Sequence, residues 1–353
     1  MVGQRPRLRA IVVGAGVIGR VHIDALRRNN VEVVSVVASS AARSAEAAKE
    51  FGVTRGDPDL KTALAEARAD SVHICTPNNQ HYVMARDSID AGKHVVCEKP
   101  LTLTAVEAAD LRCRAVAKDV VNAVCFNNRF YPLVQEAVAY RRSDKLGKIF
   151  AIRASILDDG LWGFEDAGWR LDKDVGGDSV VTSTTGSHLV DLVSFITGSR
   201  VESVCADFGV IVPERSGDGM SVKSSSDNQV GGEEIAHLLV RFRSGARGSL
   251  SLSAMAAGHP YQVKFELDAR KCGMGWDSEH PSELWVGHRD RPNEVVLPDS
   301  RQMIGGSDKY LDMPGAYREG FSDTFRLFFK RVYENIARCS TERINDDYPT
   351  FAD

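Results

Sequence analysis

Short runs of β-branched residues alternate with helix-like segments over the first 130 residues of the chain. The runs are nearly continuous in apolar residues, as expected of strands that are buried on both faces of a parallel sheet. They are LRAIVV (8–13), VEVVSVV (31–37), SVHICT (71–76), HVVCE (94–98) and VVNAVCF (120–126). Helical patterns lie between them, at residues 20–28, 41–51, 82–91 and 105–116. This order predicts an α/β fold with a doubly wound parallel sheet.

After about Pro132 the pattern changes to segments in which apolar and polar residues alternate. These segments are AHLLVRF (236–242), GSLSLSA (248–254), YQVKFEL (261–267) and ELWVG (283–287). Residues 244–246 predict a hairpin turn between the first two, residues 185–197 predict a helix, and residues 214–233 predict a solvated loop. We therefore expect a dinucleotide-binding domain at 1–130 and a substrate domain at 131–353, an α+β unit with an open, largely antiparallel sheet.

The composition of the chain excludes several classes of partner. Its 353 residues carry 44 Lys and Arg against 48 Asp and Glu, a net charge of −4, which disfavours nucleic acid. No apolar stretch approaches the roughly 20 residues that cross a bilayer, so no membrane partner is expected. The seven cysteines form no CxxC pair, and several lie within apolar runs. This usage predicts reduced thiols in a cytoplasmic protein and no metal site.

A glycine-rich segment, GAGVIG (14–19), follows the first predicted strand and opens a helix. Gly14 would permit a tight turn, Gly16 would let the backbone approach a pyrophosphate, and Gly19 would let helix and strand pack closely. The phosphates would then meet the free N–H groups at the start of the helix. The segment predicts a dinucleotide site.

The end of the second predicted strand bears on which dinucleotide binds. An acidic residue about 20 positions after the glycines would hold the ribose 2′-hydroxyl of NAD, but residues 37–43 contain none. Ser39 and Ser40 are candidates for donors to a 2′-phosphate, and Arg43 for its counter-charge. The serines suit a helix N-cap equally well. The sequence slightly favours NADP over NAD.

Lys99, in the segment Glu98-Lys99-Pro100, stands at the end of the HVVCE run. Ligands of open α/β sheets bind beyond the carboxyl ends of the strands, so this lysine is a candidate for chemistry. Taken alone, the position is also compatible with an ordinary surface lysine.

Several short stretches together resemble the glucose–fructose oxidoreductase / inositol dehydrogenase (Gfo/Idh/MocA) family. They are residues 14–19, Cys75-Thr76-Pro77-Asn78 with His81, Glu98-Lys99-Pro100, Asn127-Asn128-Arg129, Trp169-Arg170 and residues 186–191. Residues 275–290 and 349–353 also look like those of its sugar- and polyol-oxidising members. The likeness covers nearly the whole chain, and Glu-Lys-Pro is its most specific mark.

The resemblance implies an NAD(P)-dependent oxidoreductase that acts on a CH–OH group of a sugar, glycoside or polyol. In such enzymes the lysine of Glu-Lys-Pro lies between nicotinamide C4 and the substrate hydroxyl, and a histidine of a later helix acts as acid and base. Lys99 and His188 carry over to these roles. The resemblance also implies a cis Lys99–Pro100 bond and a homo-oligomer, a dimer or tetramer, formed through the second domain's sheet.

The motifs and this resemblance together indicate the remaining site residues. Those expected at the cofactor are Gly14, Gly16, Val17, Ile18, Gly19, Ser39, Ser40, Thr76, Pro77, Asn78, His81, Glu98, Lys99, Asn127, Trp169 and Arg170. Those expected at the substrate are Lys99, Arg129, Thr184 and His188. Arg129 is equally compatible with an ion pair that bridges the two domains, and a tryptophan in a loop is equally compatible with packing.

One position departs from the family pattern. Members commonly carry an aspartate four residues before the histidine, one helical turn away, whereas this chain has Thr184, or Thr182 under a shifted alignment. A hydroxyl forms hydrogen bonds but supplies no charge to an imidazolium. Thr184 is therefore the third catalytic candidate, with Asp158, Asp159 and Asp191 as alternative carboxylates.

Three functions remain open from the sequence. The first is a sugar or polyol dehydrogenase, or the reverse reductase. The second is NAD-assisted glycoside cleavage, in which no reduced cofactor accumulates. The third is a non-catalytic nucleotide-binding sensor, suggested by the missing aspartate.

Overall fold

The computed structural model describes residues 7–163, 168–212, 214–217, 220–223, 232–313, 317–338 and 348–352. The chain divides into two compact units, of which the first combines Met1–Cys125 with Phe325–Asp353 and the second comprises Phe126–Thr324. The expected division at residue 130 therefore differs from the structure in two respects. The boundary lies a few residues earlier, and the C-terminal residues belong to the first unit.

The first unit contains a six-stranded parallel sheet with the strand order β3-β2-β1-β4-β5-β6. The strands are β1 (Arg9–Val13), β2 (Glu32–Val37), β3 (Arg55–Asp57), β4 (Ser71–Ile74), β5 (His94–Cys97) and β6 (Asn122–Val124). The helices are α1 (Val17–Arg28), α2 (Ala41–Phe51), α3 (Leu60–Glu66), α4 (Asn78–Asp90) and α5 (Ala105–Ala117). The predicted α/β class is confirmed. The strand order reverses between β1 and β4, which is where such sheets bind their ligands.

Local sequence explains why these helices begin where they do. Ser40, Asp59 and Thr104 are the N-caps of α2, α3 and α5, and each side chain accepts a hydrogen bond from a backbone N–H of the first turn. Thr104 and Glu107 form a reciprocal capping box. Neither β3 nor α3 was predicted, because a three-residue strand and a seven-residue helix are too short to show a clear period.

The C-terminal part of the first unit is built on the helix α9 (Phe321–Ile336). From Phe325 onwards its apolar side chains are buried, including Phe328, Phe329 and Tyr333. Farther along, the carbonyl of Pro349 accepts a hydrogen bond of 3.1 Å from the backbone of Val124 in β6. These contacts explain why the chain returns to the first unit after forming the second.

The second unit contains an eight-stranded sheet with the order β16-β15-β14-β13-β7-β12-β11-β8. Its strands are β7 (Ile149–Leu157), β8 (Val201–Gly209), β11 (Ile235–Phe242), β12 (Arg247–Ser253), β13 (Gln262–Ala269), β14 (Gly273–Asp277), β15 (Leu284–Gly287) and β16 (Glu294–Val296). The helices are α6 (Pro132–Arg142), α7 (Lys173–Gly176) and α8 (Ser187–Thr197). All pairs are antiparallel except β7 with β12, so the expected open, largely antiparallel sheet is confirmed.

One face of this sheet builds the core of the second unit. Burial alternates along β11, where Leu238 and Val240 lie in the core with Ile152 of β7, Leu252 of β12 and Leu192 of α8. Alternate side chains point to the opposite face. The helices therefore cover only one face of the sheet.

Two connections of the second unit were predicted with different success. The hairpin between β11 and β12 is confirmed, with Gly245 at φ +89° in the turn. The expected loop at 214–233 contains a short hairpin, β9 (Glu214–Gly217) with β10 (Met220–Lys223). Residues 224–231 of that loop lie outside the described part of the chain. Among the described residues, no helix is both long and apolar enough to cross a bilayer.

Candidate active site

The glycine-rich turn has the geometry that its spacing predicts. Gly14 has φ +100°, and a Cβ there would lie 2.3 Å from the carbonyl oxygen of Cys75 at the end of β4. A Cβ on Gly19 would lie 1.9 Å from the Gly14 carbonyl oxygen. Both positions therefore require glycine because backbone approaches backbone. A Cβ on Gly16, by contrast, would meet no atom within 4 Å.

The beginning of α1 is suited to an anion. Gly16 is its N-cap and supplies no side-chain hydrogen bond, and the first turn holds no acidic residue. Val17 opens the helix with 81% of its surface exposed, and Ile18 follows it. The uncapped N–H groups and the space at Gly16 fit the pyrophosphate of a dinucleotide.

The residues after β2 are occupied within the protein. Ser40 caps α2 by accepting from the backbone N–H of Arg43 at 3.2 Å. The Arg43 guanidinium forms an exposed ion pair with Glu46 at 2.6 Å. Ser39 is exposed and directly precedes the cap. Ser40 is therefore the N-cap of α2, and the neighbouring Ser39 is not part of the cap.

The loop after β4 is fixed by a buried histidine. The ring nitrogens of His81 lie 2.9 Å from the carbonyl oxygen of Thr76 and 2.7 Å from that of Pro100. Burial lowers the pKa of His81, an effect that the two carbonyls oppose. His81 therefore connects this loop to the Lys99-Pro100 segment from inside the protein. Pro77 is the N-cap of α4, and Asn78, its first residue, is buried.

The Thr76 side chain at the same loop is different in character. Its hydroxyl is buried and has no hydrogen-bond partner within the described part of the chain. A buried hydroxyl without a partner costs free energy unless a ligand or water satisfies it. Thr76 therefore fits the expected contact with a bound dinucleotide.

Lys99 follows β5 at the same carboxyl edge of the sheet. The Lys99–Pro100 peptide bond is cis, which confirms that expectation. Glu98 is 8% exposed. Its carboxylate accepts from the Lys99 backbone N–H at 3.3 Å and lies 3.1 Å from Nε2 of His22. Glu98 thus faces the interior of the first unit, behind the lysine.

In the second unit, Arg129 forms a buried bidentate ion pair with Asp191. Its Nε donates to Asp191 at 2.8 Å, its terminal nitrogen donates to the other carboxylate oxygen, and its guanidinium lies 4.8 Å from the Phe195 ring. Arg129 is therefore in an ion pair, but both partners lie in the second unit, so this pair is not the domain-bridging one that was considered. Asn127 is also buried, and its amide donates to Thr324 at 2.8 Å.

Trp169 and Arg170 lie in a short 3₁₀ turn, Trp169–Leu171. The Arg170 guanidinium lies 4.7 Å from the centre of the Trp169 ring, a cation–π contact. The Arg170 backbone also contacts Gly176, where a Cβ would lie 2.5 Å from the Arg170 carbonyl oxygen.

The segment before His188 forms a π-helical turn, Thr182–Gly186, which continues into α8. Hydroxyl groups donate to carbonyls one turn earlier, from Ser183 to Ser179 and from Thr184 to Val180, both at 2.6 Å. Such bonds compete with the helical ladder and favour distortion. A π-helical turn holds one residue more than an α-helical turn.

This turn determines what Thr184 can offer. Its proton is committed to the Val180 carbonyl, so its oxygen is left as a hydrogen-bond acceptor. The Thr182 hydroxyl is buried and has no partner among the described residues. His188 is 6% exposed, with its ring 5.7 Å from that of Phe126. Asp191, on the next turn, is already paired with Arg129.

Two models of known protein domains match consecutive parts of this chain. A family model described as an oxidoreductase family with an NAD-binding Rossmann fold matches residues 8–126. A model of the GFO/IDH/MocA C-terminal domain matches residues 134–272. The chain belongs to the Gfo/Idh/MocA family. The resemblance inferred from the motifs is thereby confirmed, and the protein is an oxidoreductase with an NAD-binding Rossmann domain.

Individual relatives of this family member are distant. A levoglucosan dehydrogenase of Pseudarthrobacter phenanthrenivorans is 27% identical over 69% of this chain and 64% of its own. A myo-inositol 2-dehydrogenase of Thermotoga maritima is 26% identical over 92% of this chain and 88% of its own. A crystal structure of an inositol dehydrogenase homologue from Azotobacter vinelandii complexed with NAD+ has a TM-score of 0.88 at 24% identity, covering 98% and 91% of the two chains.

Two histidines were missed as parts of the site region. Neither His22 nor His73 was predicted to belong to the site region, although both lie in the buried network that reaches Glu98. The signal in the sequence is a histidine inside the apolar run SVHICT (71–76). A polar side chain in a strand buried on both faces must find a partner.

The Gly16→Ala substitution tests the proposed phosphate position. The added methyl group meets no protein atom, so we expect unchanged stability. We expect dinucleotide affinity to fall by about 1–3 kcal/mol, because the methyl group would occupy the space of the pyrophosphate. Calorimetric titration with NAD and NADP measures this. Gly320→Ala, where a Cβ is equally unhindered, is the control, and unchanged affinity in Gly16→Ala would contradict the assignment.

Proposed function

We propose that this protein transfers a hydride between nicotinamide and a secondary alcohol or ketone carbon of a sugar, glycoside or polyol. The observation that carries the proposal is the position of Lys99 after β5, at the same edge of the sheet as the glycine-rich turn after β1. This edge is the ligand-binding edge of doubly wound sheets.

The chemistry requires two transfers from one substrate centre. Oxidation of a secondary alcohol removes a proton from oxygen and a hydride from carbon, giving a ketone, the reduced cofactor and one proton. Bound nicotinamide supplies the hydride acceptor. A neutral histidine can take the hydroxyl proton, and an ammonium group can orient the oxygen and stabilise its developing negative charge. We assign the first role to His188 and the second to Lys99.

Thr184 completes the catalytic assignment as a hydrogen-bond acceptor. Because its proton is held by the Val180 carbonyl, its oxygen can receive a hydrogen bond from the substrate or from an imidazole N–H. It orients its partner and contributes no charge. Arg129, fixed by Asp191, is assigned to the wall of the substrate pocket.

The cofactor contacts follow the first unit's sheet edge. We assign the pyrophosphate to Gly16, Val17 and Ile18, and the nicotinamide side to Thr76 and Asn78. His81 and Glu98 support this edge from inside the first unit. Asn127, Trp169 and Arg170 keep their expected cofactor roles by family resemblance.

We propose NADP as the favoured cofactor. Residues 38–43, directly after β2, include no carboxylate that would bind a ribose 2′-hydroxyl or repel a 2′-phosphate. Ser39 is the proposed donor to the phosphate, since Ser40 is occupied as an N-cap. NAD remains the alternative, and the relatives solved with a cofactor include complexes with NAD+ and NADH.

The open face of the second unit's sheet supports a homo-oligomer. Leu239 is 64% exposed and Trp285 is 44% exposed on that face. The strand register places Ser249 of β12, Arg153 of β7 and Glu266 of β13 between them. β8 is a nine-residue edge strand with mostly exposed side chains, a feature that proteins usually cover. We propose that a second copy of the chain covers this face. The six described cysteines are free thiols, which supports a cytoplasmic location.

The relatives' names give no support to glycoside cleavage or to a non-catalytic sensor, since they describe dehydrogenases and reductases. Both alternatives remain distinguishable by experiment. Cleavage would release an aglycone without net cofactor reduction, and a sensor would bind the cofactor without turnover.

Substitution of the two proposed catalytic residues tests the function. With levoglucosan, myo-inositol and simple glucosides as the substrate panel, we expect His188→Asn to lower kcat about 10²- to 10⁴-fold through loss of the general base. Lys99→Met should lower kcat similarly, and Lys99→Arg should retain part of it. His259→Asn, on an exposed loop, is the control. Cofactor reduction is followed by absorbance, and full activity in Lys99→Met would refute the proposal.

The Ser39→Asp substitution tests the cofactor preference. A carboxylate at this position would repel a 2′-phosphate and accept a hydrogen bond from a 2′-hydroxyl. Hydrogen bonds to charged groups contribute about 1.5–3 kcal/mol, so we expect the ratio of NADP to NAD affinity to fall about 10- to 100-fold. Arg43→Ala removes the exposed ion pair with Glu46. It measures the contribution of the Arg43 charge to 2′-phosphate binding separately from that of Ser39. A wild-type protein that prefers NAD would contradict the NADP assignment.

The Leu239→Arg substitution tests the oligomer. Buried like charges would be desolvated against a second copy, so we expect the mass in light scattering to fall towards one chain. Val83→Arg, at an exposed site of α4 in the first unit, should leave the mass unchanged. A wild-type protein with the mass of one chain would contradict the proposal.

A further inference from the structure

A continuous chain of buried polar side chains crosses the first unit behind its catalytic edge. Glu98 Oε1 lies 3.1 Å from His22 Nε2, and His22 Nδ1 lies 3.0 Å from His73 Nδ1. His73 Nε2 lies 2.9 Å from the Tyr333 hydroxyl, which lies 2.6 Å from the Ser71 hydroxyl. This network of side chains joins α1, β4, α9 and the end of β5. Four elements thus contribute to one network.

The network lies where the fold otherwise places aliphatic side chains. His22, His73 and Ser71 are fully buried, and Tyr333 is 5% exposed. The rings of Phe325 and Phe329 pack against His22 at 5.6 and 4.9 Å. Burying polar groups costs free energy unless every group is hydrogen-bonded. A network of this kind is therefore expected to serve a purpose that packing alone would not require.

The protons of the network can be counted from one end. Burial, and then the neighbouring His22, lower the pKa of His73 far below its usual value, so its ring is neutral with one N–H. If Nδ1 of His73 donates to His22, the Nε2–H of His22 donates to the Glu98 carboxylate. Tyr333 then donates to His73 and accepts from Ser71. Every group is satisfied, and the one charge lies on Glu98. If each hydrogen bond ran in the opposite direction, the carboxyl group of Glu98 would have to donate to His22, so the network would hold one more proton.

The groups around the network favour this state. Burial, with the charge of Glu98 as the next cause, raises the pKa of Cys75, Cys97 and Cys125, so these neighbours stay neutral thiols. Burial also raises the pKa of Tyr333, with Asp70 adding to the effect, so its hydroxyl keeps its proton. Lys99 and the buried His81 are the remaining titratable neighbours of Glu98.

The Glu98 carboxylate is held through both of its oxygens. Oε1 meets His22, and Oε2 accepts from the backbone N–H of Lys99 at 3.3 Å. A carboxylate has no proton to donate, so each of these contacts requires a donor from the partner. The backbone position of Lys99 is therefore connected through Glu98 to the ring of His22.

A metal ion is the competing interpretation of part of this cluster. One nitrogen of His22, an oxygen of Glu98 and the sulfur of Cys125 lie within 4.8 Å of one another. The Nε2 of His22, however, is already within hydrogen-bond distance of Glu98. The Cys125 sulfur lies 3.7 Å from the same Nε2, so these groups contact one another directly. The hydrogen-bonded network is therefore the better description.

We propose that His22, supported by His73, is a positioning residue that fixes the Glu98 carboxylate and, through it, the backbone of Lys99. The inference rests on the proposed function in one respect, the catalytic use of Lys99. A displacement of about 1 Å of a catalytic group can lower the rate about 100-fold. Disruption of the network should accordingly appear in kcat more than in cofactor affinity.

Two substitutions of His22 separate positioning from packing. His22→Gln places an amide where Nε2 stood, so it can still donate to Glu98 but loses His73. His22→Asn places an amide where Nδ1 stood, so it can still accept from His73 but loses Glu98. Both remove the ring from the same site. We expect His22→Asn to lower kcat about 10- to 100-fold with cofactor affinity unchanged, and His22→Gln to stay within a few-fold of wild type.

A second readout does not depend on turnover. The amide proton of Lys99 should exchange slowly with solvent in the wild type and in His22→Gln, and rapidly in His22→Asn. In ¹⁵N-histidine-labelled protein, a coupling between the Nδ1 atoms of His22 and His73 should report their hydrogen bond. If the His22 variants do not fold, Glu98→Gln and Tyr333→Phe, which keep the side-chain shapes, replace them in the same measurements. We expect Glu98→Gln to expose the Lys99 amide to exchange and Tyr333→Phe to weaken the histidine coupling.

The outcomes distinguish the two proposals. Wild-type protein without turnover on any substrate would count against the proposed function, while Lys99 amide exchange would still decide the positioning role. Turnover with equal effects of His22→Asn and His22→Gln would overturn the positioning role alone. The positioning role would also be contradicted if no coupling appeared between His22 and His73. It would be contradicted as well if the protein bound one zinc ion per chain and Cys125→Ser removed that ion.

Discussion

The contact of three backbone segments at the glycine-rich turn is the constraint on which the first unit depends. Gly14 lies against the Cys75 carbonyl, and Gly19 lies against the carbonyl of Gly14, at distances that leave no room for a Cβ. This contact brings the start of α1 against the ends of β1 and β4. It also leaves the first N–H groups of α1 without a side-chain cap. The same close packing thus joins α1 to both strands at a start of the helix that is suited to an anion.

The edge built in this way needs support from inside the sheet. Two polar contacts provide it: His81 joins the loop after β4 to Pro100, and Glu98 receives the backbone of Lys99. Neither side chain has to touch a ligand to matter. The sequence shows such residues only as motif positions, whereas their hydrogen-bond partners explain what they do. The network behind Glu98 extends the same principle across four elements.

The sequence was informative where a local rule decides the structure. The buried parallel strands, the close backbone contacts at Gly14 and Gly19 and the β11–β12 hairpin each follow from period or turn chemistry, and all are present. Contacts between distant residues were not predictable in this way. The return of α9 to the first unit depends on how Tyr333 meets His73, 260 positions away. The pairing of Arg129 with Asp191 and the π-turn before His188 likewise depend on packing that no spacing reveals.

The π-turn and the Arg129–Asp191 pair determine how far this helix can compensate for the missing aspartate. A carboxylate near His188 would stabilise an imidazolium by charge, and Asp191 on the next turn does not replace it, because Arg129 already neutralises it in a bidentate pair. Thr184 offers an acceptor without charge, since its proton is committed to Val180. An imidazolium at position 188 therefore gains orientation but little electrostatic stabilisation from this helix. Under the proposed function, the charge that develops during the reaction is therefore stabilised mainly by Lys99, so the proposed placement of Lys99 by Glu98 bears directly on the rate.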